Sequence, residues 1–147
     1  MNQLTKNLLR ISLFALLMSA CSSSTEPEPD PDPEPMRTAA DAVAEGWVAF
    51  DAGNYQDAIT LFSEAKGLDR GLAEAYTGLG WSHLKNSNPI SAETEFGFGS
   101  SQTGTDDDLF GGWAFALGAV HMYPESNAQV DRVLGSNASW SFSHDAN

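Results

Sequence analysis

Residues 45–65 read EGWVAFDAGNYQDAITLFSEA, two apolar-periodic segments meeting at a Gly53-Asn54-Tyr55 turn. Such periodicity on both sides of a turn predicts a hairpin of amphipathic helices. Most of the pattern then returns at a fixed interval. Gly46 and Trp47 reappear as Gly80 and Trp81, Ala58 as Ala92, and Phe62 as Phe96, each 34 residues further on. That interval is the length of a helix-turn-helix solenoid unit.

A frame set by two copies is tested by whether it finds a third. Starting at Ala39 it gives units 39–72, 73–106 and 107–140. Tyr76 then maps to Phe110, Leu79 to Trp113, Gly80 to Ala114, Trp81 to Phe115 and His83 to Leu117, while Phe62 and Phe96 map to Val130. The expected fold class is therefore all-α, three stacked hairpins over residues 38–140. Helix starts agree with the frame. Asn54 precedes the second helix, Asn88-Pro89 the fourth and Asp106-Asp107-Asp108 the fifth, residue types that supply N-terminal caps or tolerate the first helical position. The three aspartates lack the spacing, glycine and distal glutamate of a calcium loop, and negative charge suits a helix N-terminus.

Position by position, the units resemble the tetratricopeptide repeat. Tyr76, Leu79 and Gly80 match its pattern in the second unit, and Gly53, Tyr55, Ala58, Phe62 and Ala65 match it in the first. The resemblance covers about two thirds of the chain and implies a hairpin solenoid whose first helices line a concave groove. One departure is the proline that commonly closes a unit, replaced here by Arg70, Gly104 and Ala138. Glycines such as Gly67, Gly71 and Gly104 are therefore expected to end the helices. Gly97 and Gly99 predict a short fourth helix, and Gly111, Gly112 and Gly118 a weakened fifth, since an interior glycine costs about 1 kcal/mol relative to alanine.

The first third of the chain is of another kind. Residues 1–20 carry a basic start (Lys6, Arg10), an apolar run from Leu8 to Met18 and small residues before Cys21, the layout of a secretory signal. The run is roughly half of the ~20 residues that a bilayer-spanning helix needs. The cysteine either falls there by chance or is the modified residue of the bacterial lipobox, which Leu17-Met18-Ser19-Ala20-Cys21 resembles. That resemblance implies cleavage before Cys21 and acylation of it, a membrane anchor. Ser22 after the cysteine implies sorting to the outer membrane. Residues 21–37 form a linker in which proline at every second position from Pro27 to Pro35 forbids helix, and the intervening carboxylates repel one another.

A net charge of −13 and a pI near 4.2 imply a surface that repels phosphate backbones, so nucleic acid is not an expected partner. The single cysteine excludes an internal disulfide. His83, His121 and His144 are not spaced as metal ligands, and no nucleophile turn, phosphate loop or dinucleotide fingerprint occurs. Neither an enzyme nor a bound cofactor or metal is expected. His83 takes a core-type helix position.

In the resembled family, ligand contacts come from recurring positions of the first helices. Here those positions hold Trp47, Trp81 and Phe115 in a row, Phe50 and Leu84 one turn on, and Asp51 and Lys85 beside them. The rings either form the wall of a site or pack as core. As a wall they suit the apolar side chains of an extended peptide or a partner helix. The leading expectation is a membrane-anchored interaction scaffold of the bacterial cell envelope, lipid-held at Cys21 and binding an envelope protein or peptide. The alternative is a glycan-capture lipoprotein in which the row stacks on sugar rings. Solenoid units bury their faces only by stacking, and residues 141–147 give just SFSHDAN, where a further helix would begin. The C-terminal end is thus expected to be the truncated start of a further helix or to be covered by a partner, a second copy included.

Overall fold

The computed structural model describes residues 36–144. The leader, Cys21, the linker as far as residue 35 and residues 145–147 lie outside the described residues. Among the described residues six helices follow in order: α1 (Ala39–Asp51), α2 (Tyr55–Leu68), α3 (Ala73–Lys85), α4 (Pro89–Gly99), α5 (Asp107–Ala119) and α6 (Tyr123–Ser136). They pair as α1/α2, α3/α4 and α5/α6, and each hairpin stacks on the next. Among the described residues the extended structure is limited to an isolated bridge between Leu72 and Thr103. It ties the loop after α2 to the loop after α4, with Thr103 N–H donating to Gly71 and Ala73 N–H to Thr103.

The helix starts follow from side-chain chemistry. Thr38 and Asp41 form a reciprocal capping box on α1. These hydrogen bonds from the Thr38 backbone and side chain hold the Asp41 carboxyl below its ordinary range. Asn88 caps α4 through Ser91 N–H and Asp106 caps α5 through Leu109 N–H. Asn54 precedes α2 as expected but makes no side-chain cap. Arg37, read as the last linker residue, pairs its guanidinium with Glu45 of α1 and Glu64 of α2, both at 2.8 Å.

Within each hairpin the first helix ends in the same way. Gly53, Ser87 and His121, spaced by the repeat, all have positive φ (78°, 59° and 66°). In each, this residue's N–H reaches back three residues and the next N–H five: Asn54 to Ala49 at 2.9 Å, Asn88 to His83 at 2.8 Å and Met122 to Leu117 at 2.9 Å. This left-handed cap satisfies the last carbonyls of the helix. The glycines expected to end helices do not: Gly67 lies inside α2, which closes through Asp69 N–H on Ala65, Gly71 lies beyond that cap, and Gly104 lies beyond the end of α4, which closes through Ser100 N–H on Phe96.

The core is built around two phenylalanines. Phe62 is fully buried between α1 and α3, where it meets Gly46 and Gly78, and Phe96 is fully buried between α3 and α5, where it meets Gly80 and Gly112. A Cβ on Gly46 would lie 2.7 Å from the Phe62 ring, and one on Gly80 would lie 2.5 Å from the Phe96 ring. This is the reason for the glycines: helices carrying them leave a slot that a whole ring fills. The α4 helix is, as expected, the shortest at 11 residues. The α5 helix runs 13 residues, and its Gly111 and Gly112, expected to weaken it, are seats for the rings of Trp140 and Phe96.

Candidate functional site

The first helices α1, α3 and α5 place Trp47, Trp81 and Phe115 at equivalent positions, and each indole is fixed by the first helix of the next hairpin. Trp47 Nε1 donates to Glu74 Oε1 at 3.2 Å, and Trp81 Nε1 donates to the Asp108 carbonyl at 3.0 Å. Glu74 and Asp108 are themselves one repeat apart, in the first turns of α3 and α5. The indoles thereby satisfy their polar edge and present their faces outward.

Those faces are taken. After α6 the chain turns back, and residues 140–144, which contain no helix, cross the surface of the first helices. Phe142 stacks on Trp81, with centroids 3.8 Å apart and planes at 17°. His144 stacks on Trp47 at 3.8 Å and 2°. Phe142 also meets the edges of Phe50 and Trp47. Two carboxylates hold the polar groups: Asp108 accepts from Trp140 Nε1 at 2.8 Å and from the Ser143 hydroxyl, and Asp51 Oδ1 lies 3.2 Å from His144 Nδ1. The aspartate run is accounted for in full, with Asp106 as the cap, Asp107 accepting from Ser136 Oγ and Asp108 receiving the tail.

The seven residues expected to form the site come together on this surface, but not in one state. Trp47, Phe50 and Trp81 are buried, at 8%, 3% and 6% exposure, under the tail and against the core. Asp51 is engaged by His144. Leu84 is half-buried and Lys85 exposed, and with Phe115, which is 60% exposed, they border a cavity of about 460 Å³ closed on its other side by Trp140 and Phe142. The question of wall or core has a divided answer: the Trp47 and Trp81 indoles are both, with one edge in the fold and one face against the tail. Cys21 lies outside the described residues.

A second apolar concavity of about 500 Å³ occupies the end of the stack, between α5 and α6, where Ala114, Gly118, Val130 and Leu134 meet the Trp140 side chain. Val130 stands where Phe62 and Phe96 stand in the earlier units and is 39% exposed. The histidines differ in setting. Burial lowers the His83 pKa, with Glu95 opposing that shift and Lys66 reinforcing it. His121 Nδ1 lies 2.8 Å from the Tyr123 hydroxyl.

No protein-family model and no curated protein matches the sequence. Among solved structures, the first TPR domain of the human RPAP3 protein, determined by NMR, is similar with a TM-score of 0.65 at 16% identity, over 70% of this chain and 81% of that one. The likeness is one of fold: the chain forms a tetratricopeptide-type hairpin solenoid of three units. The tail was not foreseen as an occupant, although its alternation of rings with serine was visible in the sequence.

Proposed function

We propose that this protein is a non-enzymatic interaction scaffold whose first-helix face binds an extended peptide of a protein partner. One observation carries the reading. The face already accommodates a chain segment without helix or strand, residues 140–144, whose rings stack on the indoles of Trp47 and Trp81. Side chains of alternate residues point to one side of extended chain, and pockets at matching intervals read them. Around the segment, the exposed Phe115 ring and the cavity beside Leu84 give a partner further apolar surface.

The scaffold is held on the outer membrane of a bacterial cell envelope through acylated Cys21, and the Pro-rich linker spaces the solenoid from the lipid. Support for this part is the leader and lipobox pattern of residues 1–21. Metabolic labelling with a palmitate analogue tests it: label is incorporated into the natural chain and lost in Cys21→Ala. Label retained by the variant, or absent from both, refutes the anchor. Binding is tested by paired peptide and glycan arrays probed with the natural chain and with Phe115→Ala and Leu84→Ala. Peptide binding that falls at least fivefold in the variants is the expected result, and glycan binding in place of peptide binding transfers the reading to substrate capture. Self-association through the α5/α6 end is a further proposal, supported by the exposed Val130 and Leu134 and tested by light scattering.

A further inference from the structure

The tail has a register of its own. In Trp140-Ser141-Phe142-Ser143-His144, rings alternate with serines, and all three rings meet the first-helix face. Trp140 covers Gly111, Phe142 lies on Trp81 and His144 lies on Trp47. Residues 140–144 contain no helix or strand, so lifting them leaves the backbone hydrogen bonds of the six helices in place. The cavity beside Phe142, bordered by Trp81, Leu84 and Phe115, already opens one flank of the segment. Every ring of the tail therefore rests on a surface that could equally hold a ring from another chain.

We infer that residues 140–144 are an exchangeable internal ligand, and that the partner of this face is an extended peptide carrying ring side chains on alternate residues, which binds by displacing them. The inference rests on the groove reading above and gives it a partner class and a control. A segment tethered this closely to its site competes at the millimolar effective concentrations of short linkers. The apparent affinity for a partner is lowered by the fraction of molecules in which the face is open. Weakening the tail raises that fraction, and the face then binds the same partner more tightly although none of its own residues has changed.

The probe is a fluorescein-labelled peptide of residues 137–147, titrated by anisotropy against the full chain and against its Phe142→Ala and His144→Ala variants. The two variants remove separate stacks, so a folding defect in one, seen by circular dichroism, leaves the other to report. At least tenfold tighter binding to the variants than to the natural chain is expected, with no binding of a control peptide whose three rings are alanine. Equal affinity for all three chains overturns the exchange and leaves the groove reading standing. Binding of other extended peptides from a random array, but not of the tail peptide, overturns the partner class alone. If helical variants bind no peptide of any kind, the groove reading falls and the exchange falls with it.

Discussion

At the scale of single residues, stability turns on where a ring needs a glycine. An alanine at Gly78 sets a methyl group against the Phe62 ring, which is enclosed on its other side by Gly46. Overpacking of this kind costs about 1–3 kcal/mol, and Gly78→Ala is expected to lower the urea midpoint accordingly. Gly135→Ala, in α6 with open space around its position, is expected to raise that midpoint through about 0.5–1 kcal/mol of added stability, because only the helix preference is felt there. The left-handed cap gives the opposite substitution a use. Ser87 has φ of 59° where the first unit has Gly53, so Ser87→Gly relieves a strain of about 1 kcal/mol and raises the same midpoint. The repeat spacing alone aligned Gly46 with Gly80, and so the near side of each slot could be read from sequence. The far side could not: Gly112 read only as a helix weakener and Gly78 gave no signal, because their value lies in a ring from another helix that no local pattern displays.

At the scale of elements, the hairpins were readable because apolar periodicity and cap residues act within a dozen positions, whereas links between hairpins depend on which side chains meet. One such link joins α2 to α4, where Lys66 Nζ lies 2.6 Å from Glu95 Oε2 and also sits over the Tyr76 ring at 4.9 Å. His83 of α3 lies near both charges, and burial is the largest influence on it, lowering its pKa. The unfolded imidazole therefore takes up a proton at higher pH than the folded one. Stability from this group is complete above the unfolded pKa of roughly 6.5 and declines as pH falls through the folded value. The third unit has Leu117 at this position, 1% exposed. His83→Leu is accordingly expected to flatten the fall in urea midpoint between pH 8 and pH 5, and an unchanged slope would remove His83 from the account. The course of residues 140–144 escaped the same reading, since nothing local in the alternation of rings and serines displays the surface that receives them.

At the scale of the whole molecule, the tail changes what kind of solenoid this is. Stacked repeats ordinarily contact only their neighbours, so each hairpin's opening is governed by its own stability and the adjoining interface. Here Trp140 bonds to Asp108 of α5, while His144 reaches Asp51 of α1, a partner 93 residues away in sequence. The segment thus couples the first hairpin to the last across the middle one. Each ring stack contributes about 0.5–1.5 kcal/mol, and the contacts on Trp47 and Phe50 stabilise α1 in particular. In the Phe142→Ala, His144→Ala double variant, amide exchange in the core of α1 is expected to become about tenfold faster, in keeping with the loss of one or two such stacks. The core of α4 makes none of these contacts and should exchange as before. Acceleration spread evenly over all six helices would mean that the molecule opens only as one unit. Acceleration confined to α1 and α2 would show that the tail is what binds the first hairpin to the cooperative whole.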